Sequence, residues 1–348
     1  MKNLSFIDKI LFFLNSLLAA ISLVAFLSYF VSPVKVPLVS FIGLSIPFLL
    51  CLNIVFILFW AIKLRRQFLL STIVLLIGIQ YVSKFYSFTE SNIILNDDIK
   101  IMTYNVRMFN LYKWIVEDGV DQEIYDFINE EKPDILCIQE FDPKADLGFK
   151  YAYKFTKKSE KNGRFGHAIF SNFKIIKSGA LDFENSGNNT LFADIVKEKD
   201  TFRVYNVHLE SLHINPKKET FDQENTEKLR IRIGNSFKKQ AEQVSQILQH
   251  QSETHYKSII CGDFNNTAFS FIYKQLKRDK NDAFEVAGEG FGKTYDFEFP
   301  LRIDFILTDK KITVNNFKTY NVNLSDHFPI MARINFLPTE EPISFQPN

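Results

Sequence analysis

A mixed α/β sandwich, preceded by a membrane-embedded helical region, is the fold class this sequence predicts. Three observations carry the prediction. From residue 99 onward, runs rich in Ile, Val, Phe and Tyr outnumber helical stretches. The helical stretches occur singly between groups of strands, unlike the strict alternation of a parallel fold. The first 90 residues, by contrast, hold three long uncharged runs.

Ile10–Val31 is 22 residues without a charge and Leu38–Ile62 a further 25, each above the roughly 20 that cross a bilayer. Gln67–Ser83 is a third uncharged run, at the lower limit with 17 residues. Spans are therefore expected at about 10–31, 38–62 and 67–83, within a transmembrane region of residues 1–90. Three such runs separated by short loops read as spans into a lipid bilayer rather than as a cleaved signal peptide. Lys2, Lys9, Lys63, Arg65 and Arg66 fall on one side of these spans, and Lys35 and Lys84 on the other. The positive-inside rule then puts the N-terminus in the cytoplasm and everything after residue 90 outside it, periplasmic or extracellular. If the third run only lies on the surface, the C-terminal domain is cytoplasmic instead.

After the connector Phe85–Asp98, strands are expected at Ile99–Tyr104, Asp134–Ile138, His167–Ser171, Thr201–His208, Lys257–Cys261, Arg302–Leu307 and Met331–Phe336. Asn315–Val322 is a further strand-like run. Val120–Glu130 places Ile124, Phe127 and Ile128 on one helical face and stops at Pro133. Asn225–His250 repeats Phe237, Ala241, Val244, Ile247 and Leu248 at helical spacing, with polar residues opposite. The second domain is expected over residues 91–338, with 339–348 a flexible tail.

The whole chain carries a net charge of +1, but residues 1–96 hold seven of the 41 Lys+Arg and two of the 40 Asp+Glu. The remainder is net acidic by about four charges, which argues against tight nonspecific binding of a polyanion. Cys137 and Cys261 each sit in a short apolar run and read as buried free thiols, and no C-x-x-C pair suggests zinc.

The chemistry-bearing residues fall at strand ends. Cys261-Gly262-Asp263-Phe264-Asn265 and Leu324-Ser325-Asp326-His327-Phe328-Pro329 both follow apolar runs. Four further segments join them: Thr103-Tyr104-Asn105-Val106-Arg107, the strand ending in Gln139-Glu140, Tyr205-Asn206-Val207-His208, and Arg302-Ile303-Asp304. Singly, each has an ordinary reading: Asn105 as a turn former, Glu140 as a solvated loop residue, His208 as a structural imidazole. Asp304 is different, because a carboxylate among Ile303, Phe305 and Ile306 must find a partner if buried. Together, carboxylates, amides and imidazoles at six strand ends suggest a divalent metal and phosphate ester chemistry.

Those six segments resemble the endonuclease/exonuclease/phosphatase superfamily, DNase I-like, over roughly Ile99–Phe336. The apolar N-terminal part is similar to that of membrane-anchored bacterial members. The resemblance implies a four-layer sandwich of two mixed β-sheets flanked by helices. It implies Glu140 as principal Mg²⁺ ligand, with Asn105 and Asp326 beside it, and Mn²⁺ as a possible substitute. Asp263 would deprotonate the attacking water, Asn265 would hold phosphate or water, and His208 and the pair His327–Asp304 would stabilise the phosphoryl oxygens. At its unperturbed pKa of about 4, Asp263 is expected to be ionised without tuning. Some family members have an Asp where this chain has Arg107, which offers a cation to a phosphate, as Arg164 and Arg302 also would.

The sequence thus reads as a metal-dependent hydrolase of a phosphodiester or phosphomonoester. A non-catalytic binding module on the same fold is the alternative, but such a module would usually have lost some of these residues. No G-x-S-x-G is present for a serine hydrolase. Nucleic acid, phospholipid and small-molecule phosphates all remain open as substrate, no protein partner is implied, and no aromatic loop stands out as a membrane wedge.

Overall fold

Strands with one apolar face and one mixed face must bury the apolar face against another layer, and here the strands do so against each other. The computed structural model of the protein describes residues 4–142, 148–158, 165–212 and 223–336. Helices come first in the chain: α1 (Phe6–Phe26), α2 (Pro37–Gly43), α3 (Ile46–Ile62), α4 (Phe68–Ile77) and α5 (Ile79–Phe85). There follow β1 (Ile99–Asn105), α6 (Val120–Glu131), β2 (Ile135–Phe141), β3 (Tyr153–Lys158), β4 (Gly166–Ser171), β5 (Lys174–Asp182), β6 (Asn189–Lys197) and β7 (Asp200–His208). The chain continues through α7 (Gln223–Ser252), β8 (Lys257–Asp263), α8 (Phe271–Lys277), β9 (Lys280–Asp282), α9 (Ala283–Ala287), β10 (Asp304–Asp309), β11 (Thr313–Thr319) and β12 (Ile330–Asn335). The expected tail, 339–348, lies outside the described residues.

The described residues cluster into two compact units. One comprises those of Met1–Tyr86, Ser211–Val244 and Asn266–Gln275, the other those of Ser87–Glu210, Ser245–Asn265 and Leu276–Asn348.

The second unit holds two six-stranded mixed sheets, β11-β12-β1-β2-β4-β3 and β5-β6-β7-β8-β10-β9. In each, one parallel pair, β1 with β2 and β7 with β8, sits among antiparallel neighbours. Period-two alternation explains the layering. Ile99, Ile101, Ile135 and Cys137 point into a core shared with Leu191, Ala193, Phe202, Val204, Ile259, Cys261 and Ile306 of the other sheet. Met102, Tyr104, Leu136 and Ile138 point the opposite way, onto Ile124 and Ile128 of α6. On the far sheet, Tyr205 and Phe192 meet His250 of α7. Cys137 and Cys261 are both buried free thiols, as expected. The strands missing from the sequence reading include β3 and β5, which close one edge of each sheet. Their exposed lysines, a common guard against edge-to-edge pairing, blur the alternation.

The helical unit departs from three simple spans. Phe6–Tyr29 is one continuous helix long and apolar enough to cross a membrane. The other two expected spans are broken: α2 and α3 meet at 52°, and α4 and α5 at 74°. At the second break Gly78 packs against the Phe26 ring, where an added Cβ would come within 2.4 Å of Cζ. Buried polar groups join the helices. Asn15 of α1 donates to Ser71 Oγ of α4 and accepts from Trp60 Nε1 of α3, while Asn53 of α3 donates to Ser22 Oγ of α1. Phe269, just after the GDFN turn, belongs to this unit: its carbonyl accepts from Ser28 Oγ and its ring lies 6.2 Å from that of the buried Tyr81.

Two predictions follow from the sheets. Gly262 has φ +132°, and a Cβ there would lie 2.0 Å from the Val207 carbonyl oxygen of the neighbouring β7. Gly262→Ala is expected to cost about 3 kcal/mol or more, read as a lowered thermal midpoint; an unchanged midpoint would contradict the close approach. His167, on β4, is fully buried with no hydrogen-bond partner on either ring nitrogen among the described residues. Burial pushes its pKa from 6.5 down to about 3. The unfolded chain therefore takes up a proton below pH 6.5 that the folded chain refuses. Stability from this group is full above about 6.5 and is lost progressively as pH falls toward 3, by roughly 5 kcal/mol in all. His167→Phe should flatten that part of the acid limb in thermal unfolding measured from pH 7 to 4; equal slopes in the two proteins would rule it out.

Candidate active site

Strand direction gathers the site. The parallel pairs β1–β2 and β7–β8 end together, bringing Asn105 level with Gln139 and His208 level with Asp263. The antiparallel strands β10 and β12 begin at those same ends, so Asp304 pairs with Asp263, and Ile330, just after the Ser325–Phe328 loop, with Thr103. Six segments far apart in sequence thus converge at one end of the sandwich.

A polar seam between the sheets sets their alignment. Gln139 donates to Asn206 Oδ1 at 2.6 Å, and the Asn206 amide donates to the Ile138 and Ala168 carbonyls. At the sheet ends, Asn105 Nδ2 reaches across to Asp263 Oδ2 at 3.1 Å and toward Glu140 Oε1 at 3.4 Å. Ser325 Oγ donates to the Asn105 carbonyl, tying down the loop that carries Asp326 and His327.

Asp263 is buried at the centre. Its Oδ1 accepts from the Asn265 backbone N–H at 2.7 Å, and its Oδ2 accepts from Asn105 and Asn265 Nδ2. His208 Nε2 and His327 Nε2 each lie 3.6 Å from Oδ2. His327 Nδ1 is 2.9 Å from Asp304 Oδ2, and the Asp304 and Ile303 N–H groups both donate to Thr294 Oγ1. Asp304 therefore has the partner that its apolar strand demanded.

Burial changes the acid–base picture drawn from unperturbed values. It raises Asp263 to about 7, with Asp304 adding to the rise and His327 opposing it. The expectation that Asp263 needs no tuning is thus corrected: out of water, its charged form depends on the neighbouring donors. For His327 burial pushes downward, but Asp304 and Asp263 outweigh it and hold the imidazole up at about 10. His208 goes the other way, well below 6.5, through burial and the nearness of His167 and His327. The site therefore pairs a charged imidazole with a neutral one.

Glu140, one residue before the end of β2, is left-handed, φ 50°, within the β2–β4 register shift between Ile138 and Phe141. Its carboxyl is raised by burial and by Asp326. Asp326 in turn lies 3.1 Å from Arg107. Arg107 opens a run of four residues, Arg107–Asn110, with φ between 44° and 57°. Asn265 is also left-handed, at 49°. Such strain of non-glycine residues costs of order 1–3 kcal/mol each and gathers at functional sites.

Two donor groups bear on a metal. The oxygens of Glu140, Asn105 and Asp326 form a hard set in which burial and the Asp326 carboxylate raise the proton affinity of Glu140, a penalty that a bound cation would relieve. Asp263, Asp304 and His327 also converge, with ligand atoms within 4.8 Å of one another, and such a buried cluster could hold a divalent metal. Yet a protonated His327 has donors on both ring nitrogens and no lone pair to offer. The first set therefore suits a hard cation better, and the second suits holding a proton.

Of the other predicted cations, Arg302 leaves the site. It is buried, bonded to Asp282 Oδ2 at 2.7 Å and packed against the Phe284 and Phe305 rings, so its charge serves a core ion pair instead of a phosphate. Arg164 lies outside the described residues. Sequence reasoning missed Thr294, which orients Asp304, and Tyr295, whose ring packs edge-on against His327 at 5.1 Å. Thr294-Tyr295 precedes no strand-like run, so nothing in its sequence marks it.

Comparison with known proteins agrees with this architecture. The profile of the endonuclease/exonuclease/phosphatase family matches residues 102–327, and one for a domain of unknown function (DUF8431) matches residues 8–85. No curated protein matches the sequence. Among solved structures, the catalytic domain of human Nocturnin with bound sulfate is similar, at 18% identity and TM-score 0.53, over 69% of this chain and 94% of that one. An endonuclease/exonuclease/phosphatase from Bacteroides vulgatus is similar at 16% identity and TM-score 0.54, over 69% and 99%. A mannosyl-6-phosphatase from Bacteroides thetaiotaomicron VPI-5482 is similar at 18% and 0.51, over 68% and 100%. At these identities the likeness shows the fold, while the profile covers well over half of the chain. The chain belongs to the endonuclease/exonuclease/phosphatase family, whose enzymes hydrolyse phosphate esters.

Proposed function

We propose that this protein is a Mg²⁺-dependent phosphoesterase that hydrolyses a phosphodiester or phosphomonoester by in-line attack of water. The observation that carries the reading is the buried Asp263, its carboxylate held by Asn105 and Asn265 with His208 and His327 each 3.6 Å away. Burial raises its affinity for a proton, as a general base requires.

In this reading Glu140, Asn105 and Asp326 hold Mg²⁺, or Mn²⁺ in its place. The bound ion supplies Lewis-acid polarisation of the phosphoryl group. Asp263 accepts the proton of the attacking water as the new P–O bond forms; the ester P–O bond breaks, and the leaving alkoxide takes up a proton from solvent water to depart as the alcohol. Asn265 positions Asp263 and the water. His327, kept cationic by Asp304, and neutral His208 donate to the phosphoryl oxygens as charge builds on them. Arg107 contributes a second cation toward the phosphate. The N-terminal helices hold the enzyme in a membrane, N-terminus in the cytoplasm and the catalytic unit outside.

Purified full-length protein is expected to hydrolyse bis-p-nitrophenyl phosphate or p-nitrophenyl phosphate with Mg²⁺ and to stop with EDTA. Asp263→Asn should lower kcat by about 10²–10⁴-fold with little change in KM. Glu140→Gln should instead raise the Mg²⁺ concentration needed for half-maximal rate by at least about tenfold. Activity of Asp263→Asn equal to wild type, or turnover indifferent to EDTA, would falsify the proposal.

A further inference from the structure

The left-handed run Arg107–Asn110 turns the chain off the end of β1 and presents residues 111–116 as a closed loop. Asn110 is its clasp: Nδ2 donates to the Ile115 carbonyl at 2.8 Å and Oδ1 accepts the Ile115 N–H at 2.9 Å. Ile115 packs into the core beneath. The rest of the loop faces water with apolar side chains, Leu111 53%, Tyr112 46%, Trp114 39% and Val116 86% exposed. Tyr112 and Trp114 stand edge to face, ring centres 5.2 Å apart. The Arg107 guanidinium lies 4.3 Å from the Trp114 ring centre while also reaching Asp326, so the loop adjoins the mouth of the site.

Four large apolar groups held in water by a clasped loop have a cost that some surface must offset. We propose that loop 111–116 inserts into the lipid–water interface, and that the phosphate ester reaching the site is that of a lipid headgroup. The inference rests on the phosphoesterase reading and names its substrate class. Trp and Tyr flanked by aliphatic residues, with Lys113 between them, is the composition that settles at the headgroup boundary. Helix Phe6–Tyr29 of the same chain is long and apolar enough to lie in a bilayer. A nucleobase stacking on Trp114 would make no use of Leu111 or Val116, the two most exposed members. The net acidic sequence after residue 96 likewise disfavours a polyanion. The loop is thus the membrane wedge that the sequence alone did not reveal, because only the fold shows which of its apolar side chains are exposed.

The chain has two tryptophans, so Trp60→Phe leaves Trp114 as sole reporter. Full-length Trp60→Phe protein in nanodiscs of phosphatidylcholine and phosphatidylglycerol should show Trp114 emission shifted to the blue. Lipids brominated on their acyl chains should quench that emission, and aqueous iodide should not. If this variant does not fold, the difference between wild type and Trp114→Phe gives the same readout. Emission quenched by iodide and not by brominated lipid, or by added nucleotide alone, overturns the proposal. In the second arm, Leu111→Ser/Val116→Ser should lose on the order of tenfold or more in rate on nanodisc phospholipid. Its rate on soluble bis-p-nitrophenyl phosphate should be unchanged. Equal loss on both substrates, or on neither, argues against a lipid headgroup as substrate. Lipid quenching without turnover of any ester would support the insertion and overturn the phosphoesterase reading, so the two failures are distinct.

Discussion

The site depends on a hydrogen-bonded seam through an otherwise apolar sheet interface. Gln139 with Asn206, and Asn105 with Asp263, join the two sheets near one end. Apolar packing alone is indifferent to small slips between layers, whereas a buried amide that loses its partner costs about 1–3 kcal/mol. The seam therefore fixes which strand ends coincide. With that alignment set, two parallel pairs ending and two antiparallel strands beginning place carboxylates, amides and imidazoles together.

Electrostatics at the site follows from how little water reaches it. Asp263, Asp304 and His327 are all nearly fully buried, and burial alone would raise Asp263 and lower His327. Their mutual placement decides: Asp304 and Asp263 hold a proton on His327, and that cation moderates the rise of Asp263. His208 lies beside a second buried imidazole at His167 and near the His327 cation, and burial together with these two keeps it neutral. Left-handed residues at Arg107, Glu140 and Asn265 are backbone strain that the surrounding sheets hold in place.

The helical unit follows a related rule with different residues. Its N-terminal helices α1, α3 and α4 are apolar almost throughout, so they gain little by burying one face over another. Asn15, Asn53, Ser22, Ser71 and the Trp60 N–H supply the directional contacts. Tyr81 and Ser28 hold Phe269 to the same helices.

Much of this was legible in the sequence. Asn105, Glu140, His208, Asp263, Asp304, Asp326 and His327 each stand at the end of an apolar run, and that local signal survives folding because strand ends are where a sheet exposes its groups. Apolar runs also announced the core and the first helix. What the tertiary structure alone decided depends on distance between segments remote in sequence. Arg302 looked like a phosphate cation until Asp282 was found to hold it in the core. Asp263 looked like an ordinary carboxylate until burial raised it, and Thr294 became relevant only because a loop returns it to Asp304. The chain by itself determined which residue types lie at which strand ends, since hydrophobic periodicity is local. Partners, protonation and strain belong to the fold, because each is set by what comes within a few ångströms across the two sheets.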